Sequence, residues 1–376
     1  MLTAFAGSSP VPIRSMLGVG PGMPSGLPDG AAWQASAHPV PDERSVAAAR
    51  RVLEVAEATS PADLLVVLLS GGASAMMALP AGDLSLADKR RTSELLLQAG
   101  ANIGELNTVR KHLSAIKGGR LAASARGSVL TLAISDVVGD DLSTIASGPT
   151  VPDVTTFAQA LDVLDRCGGR HRFPPPVVRW LTRGAGDPIN ETPKPHHPRL
   201  ERSTARVIGG RVTAVDGAQR AAESLGYRIY PIEAPVVGEA RLAGRALIEA
   251  ASWASMLRDA QPLCIVASGE TTVHVTGDGR GGRNQECALA MGLVLDTLGP
   301  TVVAASVGTD GVDGPTDAAG AVVDSTTLAR AREADLVPEV YLNDNDTYTF
   351  FNTLGDLVRT GPTGTNVGDL QVILIG

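Results

Sequence analysis

The sequence predicts an α/β protein of two domains, and three observations support that prediction. A continuous apolar run at Leu64–Leu69 and a buried-strand stretch at Val302–Val307 end in small or polar turns, Ser70-Gly71-Gly72-Ala73-Ser74 and Gly308-Thr309-Asp310-Gly311. Runs apolar on both faces suit central strands of a parallel sheet, and turns at their carboxyl ends are where ligands sit in such sheets. Strand-like and helix-like stretches alternate on both sides of one proline-rich segment, so both halves read as α/β. That segment, Phe173 to Pro198, carries Pro174, Pro175, Pro176, Pro188, Pro193, Pro195 and Pro198, and it marks a boundary. At 376 residues the chain is long for one domain. The expected domains are residues 1–197 and 203–376.

Hydrophobic residues make up 44% of the chain and charged residues 19%, the balance of a soluble globular protein with a sizeable core. Aromatics are only 3%, so Ala, Val, Leu and Ile must build that core. The net charge of -8 argues against nucleic acid as a partner. No apolar run reaches the length of a membrane span. Met1 to Gly22 has Arg14 as its one charge, three prolines and no continuous apolar stretch, so it does not read as a signal peptide. A cytoplasmic enzyme is the expectation. Cys167, Cys264 and Cys287 are odd in number and far apart, and they read as reduced core thiols.

In chain order, Leu2 to Ala6 reads as the tail of a helix and Ser15 to Val19 as a short strand. Gly18, Gly20 and Gly22 imitate a dinucleotide turn, but Pro21 and Pro24 stand where its helix would start. Ala37 to Asp42 is a stiff connector before a helix over Glu43–Ala58. After the strand Leu64–Leu69, a helical pattern runs from Lys89 to Gly119, with Leu106, Val109, Leu113 and Ile116 as its apolar stripe. Arg110, Ser114 and Lys117 fall on another face, and Gly118-Gly119 stops the helix. Then come the strand Val129–Ile134, an acidic loop Ser135–Asp141, a turn Ala146–Pro152, a helix Thr155–Cys167 and a short helix bearing Trp180. The second half reads as strand 205–208, helix 214–225, strand 228–232, helix 239–257 and strand 264–267. It closes with a strand 302–307, a helix 348–354 and a strand 370–375.

The most suggestive stretch is Ser268 to Glu286. Thr271, Val273 and Val275 alternate with Thr272, His274 and Thr276, the pattern of a half-buried strand. Gly277, Gly279, Gly281 and Gly282 follow with Arg280 and Arg283 among them, and Asn284-Gln285-Glu286 opens an apolar helix, Ala288–Leu295. Strand, glycine loop, two guanidiniums and a helix N-terminus make an anion trap, because glycine lets backbone N–H groups approach and the helix end is partially positive. The Ser70–Ser74 loop could also contact an anion through backbone and hydroxyls, or could be a plain tight turn. It is no P-loop, because no Gly-Lys-Ser/Thr follows. Arg110, Lys111, His112 and Lys117 form a basic island in an acidic protein, either a solvated face or a charge-matched cleft. Asp136, Asp140, Asp141, Asp310 and Asp313 follow strands, where they could hold Mg²⁺ or serve as Asx-turns or helix caps, the cap being the reading of each taken alone. His38 and His274 stand alone, without triad or metal spacing, and His196-His197 lies in the proline-rich connector.

Taken together, several stretches resemble one family, the glycerate 2-kinases built from an N-terminal glycerate kinase domain and a C-terminal MOFRL domain. Some of its members are named hydroxypyruvate reductase. The matching stretches are A-H-P-V-P-D-E-R-S (Ala37 to Ser45), L-L-S-G-G-A-S-A (Leu68 to Ala75) and N-T-V-R-K-H-L-S-A-I-K-G-G-R-L-A (Asn107 to Ala122). S-D-V-V-G-D-D, A-S-G-P-T-V-P-D, E-T-P-K-P and the loop 268–286 follow. The last are Thr309 to Ala321, Asn343 to Phe351 and Thr360 to Val367.

The resemblance implies a Rossmann-like three-layer N-terminal domain with a parallel sheet, a MOFRL-type α/β domain, and an active site in the cleft between them. It implies phosphorylation of D-glycerate at its 2-hydroxyl by ATP with Mg²⁺, no nucleic-acid or membrane partner, and leaves a homodimer open. In such a site Arg283, with Arg280, would stabilise the transferring phosphoryl group. Ser70, Gly71, Gly72, Ser74, Asn107, Arg110, Lys111, Lys117, Glu270 and Asn284 would bind substrate or phosphate, and Asp136 and Asp310 would contact metal or hydroxyl. Two departures are small: Ala73 replaces a glycine of the usual S-G-G-G-S loop, and Ala267-Ser268-Gly269-Glu270 stands for the usual S-G-G-E. A third is larger. Family members begin with a helix, a strand and a G-x-G-K-A turn whose lysine is assigned to catalysis, whereas the first lysine here is Lys89. Three readings follow: a kinase whose start lies upstream, a reductase using NAD(P)H, or a shortened, non-catalytic protein. The reductase lacks a sound dinucleotide fingerprint with its acidic residue.

Overall fold

The computed structural model describes residues 1–187, 190–256 and 261–376; Pro188 and Leu257, named above, lie outside them. The chain forms two compact units, residues 1–133 with 140–208, and residues 134–139 with 209–376. Among the described residues no helix is long and apolar enough to cross a membrane.

In the first unit, β1 (Met16–Gly20) and β2 (Ala31–Ala35) pair in parallel. Gly18 and Gly20 are there for Trp33, since a Cβ at either would lie 2.5 or 2.6 Å from its ring. A packing requirement thus explains glycines that imitate a cofactor turn. β3 (Leu64–Leu69), β4 (Ser128–Ile134) and β5 (Ser203–Gly209) form a second sheet in that order, with β3 parallel to β4. β3 is therefore an edge strand, and Leu64 is 52% exposed, so the central position expected of this apolar run belongs to β4.

The helical pattern at 89–119 is two helices, Leu86–Gln98 and Ile103–His112. Gly100 turns the chain at φ 76°, and Asn102 restarts it through a capping box with Glu105. Ser114 and Lys117 therefore lie beyond the helix that carries Arg110. The stripe is still real, because Leu106, Val109, Leu113 and Ile116 are all buried. Around Val109 and Leu113 a core gathers Leu96, Phe157, Leu164 and Leu181.

The second unit holds β6 (Arg228–Pro231), β7 (Val236–Glu239), β8 (Leu263–Thr272), β9 (Val302–Gly308), β10 (Gly320–Asp324), β11 (Leu357–Val358) and β12 (Asp369–Ile375). Their order is β11-β10-β9-β12-β8-β6, with β7 also on β8. β6 and β7 run parallel to β8, whereas β12 is antiparallel to both β8 and β9, so the sheet is mixed. The last strand of the chain is thus a central one. Its buried side chains are Asp369, Gln371, Ile373 and Ile375, polar at one end of a single face and apolar at the other. The helix Arg283–Gly292 is buried from Asn284 onward, as a helix enclosed on all sides must be.

Candidate functional site

The strand expected through Thr276 ends at Thr272. Beyond it the glycine loop is clamped rather than free. Thr276 and Gly277 donate backbone N–H groups to Asn345 Oδ1 at 2.8 and 3.0 Å, and Gly279 donates to the Asp344 carbonyl at 2.9 Å. A Cβ on Gly277, Gly279 or Gly281 would collide with Asp344, Asp346 or Thr347, so glycine is required here for close backbone approach. Arg280 is drawn away from Arg283: its Nε donates to the Pro315 carbonyl at 2.9 Å, and its guanidinium lies 4.3 Å from the centre of the Tyr348 ring.

The helix N-terminus is not open either. Asp313, on the loop after β9, accepts from the Asn284 N–H at 3.0 Å and the Gln285 N–H at 2.9 Å. Its carboxylate occupies the place expected for a bound anion. Burial pushes the Asp313 carboxyl up to about 6, against the hydrogen bonds that it accepts. What remains available is Arg283 itself. Its Nε and Nη2 donate to the two oxygens of Asp369 at 2.8 and 3.0 Å, and Nη1 donates to Glu270 at 2.9 Å. Those three bonds use three of the five guanidinium N–H groups, and Arg283 keeps 31% of its side chain exposed over a fully buried Asp369 carboxylate. Burial opposes the charge on Arg283, but Asp369 and Glu270 more than restore it. Burial raises Glu270, helped by Asp369 and Asp136 and opposed by Arg283.

Asn284 is fully committed within this network, donating to Asp313 and Asp369 and accepting from Ser306 at 2.7 Å. Asp310 closes its turn on the Val312 N–H at 3.1 Å, and Asp136 accepts weakly from Asn366 at 3.5 Å. Among the described residues no group of three or more His, Cys, Asp or Glu side chains is arranged to hold a metal.

A second cluster lies in the first unit. Lys117 Nζ donates to the Ser74 carbonyl at 2.9 Å and to Ser74 Oγ at 2.5 Å. Ser74 Oγ is 3.1 Å from Ser147 Oγ, which donates to Asn107 Oδ1 at 3.0 Å. Ser147 sits in a run of left-handed backbone, with φ 53° at Ala146, 60° at Ser147 and 60° at Gly148. Non-glycine residues adopt that conformation at a cost of about 1–3 kcal/mol each, which surrounding structure must offset. Arg110 lies one turn from Asn107 on the same helix face.

The charges here are of one sign. Lys117 is 3% exposed and Lys89 is 8% exposed. Burial drives Lys117 well below the ordinary lysine range, and Lys89 and Arg110 push it further. Burial, then Arg110, brings Lys89 down to about 7. Lys111 takes no part, because it is 3.3 Å from Asp153, in a separate network where His112 and Lys194 meet Glu191 at 3.4 and 2.8 Å.

The comparisons with known proteins agree with one another. Residues 21–182 match a domain of unknown function, DUF4147, and residues 263–369 match the MOFRL family. A glycerate 2-kinase of Pyrococcus horikoshii is 39% identical over 90% of this chain and 76% of its own length. A D-glycerate 2-kinase of Thermotoga maritima is 40% identical over 90% and 78%. The chain belongs to the glycerate kinase family. The crystal structure of a Thermotoga maritima glycerate kinase superposes with a TM-score of 0.87 at 39% identity, covering 97% of this chain and 86% of that one. A provisionally named hydroxypyruvate reductase of Agrobacterium vitis is 43% identical over 91% and 76%.

Within this family framework, the structure gathers Ser74, Asn107 and Lys117 into one hydrogen-bonded chain and Glu270, Arg283 and Asn284 into another. Ser70 is exposed at the end of β3, and Gly72 turns the loop at φ 80° against His38, where a Cβ would lie 2.8 Å from the ring. Arg280 and Lys111 are engaged elsewhere. Sequence reasoning missed Lys89, Ser147 and Asp369, whereas Asp313 takes the helix-cap role that the sequence offered beside metal binding. Lys89 carried a signal, since it is one of four lysines in the chain. Asp369 carried none, because a carboxylate opening an apolar strand looks like a strand end.

Proposed function

We propose that the chain is a glycerate 2-kinase, transferring the terminal phosphoryl group of ATP to the 2-hydroxyl of D-glycerate. The observation that carries the reading is 39–40% identity over 90% of this chain to two proteins named for that activity. In the reaction the glycerate 2-oxygen bonds to phosphorus and loses its proton, while the bond to the bridging oxygen breaks and ADP leaves with that electron pair. A protein contributes to such a step mainly by positioning and by neutralising charge.

Arg283 suits that task. Its guanidinium is held in place on two carboxylates and retains two N–H groups for phosphoryl oxygens, a preorganised fork that needs no reorientation. Ser74 and Lys117, fixed through Ser147 and Asn107, are assigned to an oxyanion of the reactants. Arg280 steadies the glycine loop on Tyr348. Asp136 and Asp310 are the side chains that would contact Mg²⁺, which would supply charge neutralisation for the phosphates of ATP.

The name of the Agrobacterium vitis relative supports a second reading, reduction of hydroxypyruvate. Purified protein given D-glycerate with ATP, and separately hydroxypyruvate with NADH or NADPH, tells them apart. Consumption of ATP that depends on D-glycerate is expected. Oxidation of the nicotinamide with no ATP consumption would replace the kinase by the reductase.

A further inference from the structure

Lys89 was not among the residues that the sequence singled out, and the structure gives it an unusual position. It enters from the helix Leu86–Gln98, and its Nζ donates to the Leu79 carbonyl at 3.2 Å. That carbonyl already accepts from the Ala115 N–H at 3.1 Å and from Ser114 Oγ at 3.2 Å. One crowded carbonyl thus accepts from a side chain that is 8% exposed and has three N–H groups to satisfy.

The charged groups acting on it are cations. Arg110 acts on Lys89, and both act on Lys117. Carboxylates of this unit are engaged by other residues: Asp153 by Lys111, Thr155 and Thr192, Glu191 by His112, Lys194 and the Phe157 N–H, Asp88 by Ser85, Glu94 by Arg91 and Glu105 by Arg166. A buried ammonium without a counter-charge is unfavourable unless something negative joins it. Two buried lysines and one half-buried arginine are suited to taking an anionic partner. Burying two lysines there serves packing poorly, since leucine or methionine would fill the same volume without desolvating a charge.

We propose that Lys89, Arg110 and Lys117 form a site for a small oxyanion, bordered by Ser74 and held in register by the Ser74–Ser147–Asn107 chain. This deepens the kinase reading and rests on it only for the identity of the anion, which is either the carboxylate of D-glycerate or the oxygens of a phosphoryl group. Lys117 is fixed by Ser74, so its charge is oriented; Lys89 is the adjustable member. When an oxyanion enters, the ammonium form of Lys89 gains a partner, and binding draws a proton from solution wherever the free side chain is largely neutral.

Isothermal titration of the full chain at pH 8, without ATP and in two buffers of different ionisation enthalpy, reads both quantities. D-glycerate and inorganic phosphate are separate titrants. At least one binds, with net proton uptake; D-glycerate alone assigns the site to the carboxylate, phosphate alone to the phosphoryl group, and both to either oxyanion. Lys89→Met weakens that binding by about tenfold or more and removes the proton uptake, the loss expected for one charge-assisted contact. Lys89→Gln does the same, and both variants remain folded by circular dichroism at pH 7. The proposal is overturned if neither titrant binds the wild-type chain. It is also overturned if the folded variants bind with unchanged affinity and proton uptake, or if both unfold, since the lysine would then be a structural element. Turnover is scored separately. Anion binding with no ATP consumption removes the kinase reading and leaves the site, whereas kinase turnover with unaltered binding in the Lys89 variants removes the site and leaves the kinase.

Discussion

Two clusters of charge, one in each unit, solve the same problem in opposite ways. Arg283 is surrounded by carboxylates, with Asp369 and Glu270 in direct contact and Asp313 one residue further on. Lys89, Arg110 and Lys117 act on one another, and each is destabilised by burial. The first cluster is complete as folded, so its arginine is both a structural tie and a donor. The second is incomplete as folded, and its cations are held against their own solvation. A charge that is already paired is read best through loss of stability and activity together. A charge that is unpaired is read best through activity lost while stability is kept or gained.

The largest effect expected is at Arg283. Arg283→Ala removes a preorganised donor and should lower kcat by about 10²–10³-fold. It also strands the buried Asp369, so thermal unfolding should fall by the equivalent of about 3 kcal/mol. Arg283→Lys restores the charge without the fork; it should recover part of the stability and little of the turnover. Steady-state kinetics beside thermal unfolding separates the two losses. If turnover is unchanged in Arg283→Ala, its assignment to the phosphoryl group fails.

Asp369→Asn comes next. It leaves Arg283 in place with Glu270 as its remaining anchor, so kcat should fall by about tenfold with KM for ATP nearly constant, the pattern of a positioning residue. A change confined to KM would mean that Asp369 acts on ground-state binding instead.

Lys89→Met sharpens the contrast because it should raise stability. With its folded-state value near 7, below the ordinary 10.5, Lys89 binds fewer protons in the folded chain between those limits. Wild-type stability from this residue therefore rises as pH rises from 7 to 10.5. The melting temperature of Lys89→Met should exceed that of the wild type at pH 7, with the difference shrinking toward pH 10. A variant less stable than the wild type at pH 7 would place Lys89 among the structural ties, beside Arg283.

The smallest effect is at Asp313, whose carboxyl is raised to about 6 from 3.8. A raised carboxyl contributes stability that is fully present below the unfolded value and lost as pH rises through the folded one. Between pH 4 and 6 the wild type should therefore lose slightly more stability with rising pH than Asp313→Asn does. Parallel profiles would mean that Asp313 titrates normally.

Much of the fold was legible because its signals are local. β3, β4, β9 and β12 announce themselves as largely apolar stretches, and the helix Phe157–Arg166 by its pattern, although its cap is the Thr156–Gln159 box rather than the expected Asp153–Thr155. The edge position of β3 and the central position of β12 were not legible, because strand order depends on contacts between distant residues. β2, β7 and β10 were missed for a related reason, being four or five residues long with Gly238 and Gly320 among them. At the sites, the sequence located residue types but not their partners. Arg280 and Arg283 look alike in the loop, and only the positions of Tyr348 and Asp369 distinguish a stacked side chain from a fork. Lys111 and Lys117 look alike in the basic island until Asp153 takes one of them.

The most direct test of the kinase account is the product formed from D-glycerate and ATP. Phosphorus NMR reads which carbon bears the new ester from its proton coupling. A phosphate on C2 sees one methine proton and appears as a doublet, whereas a phosphate on C3 sees two methylene protons and appears as a triplet. The account predicts a doublet that grows as ATP is consumed; a triplet, or ATP left intact beside an unchanged D-glycerate, would contradict it.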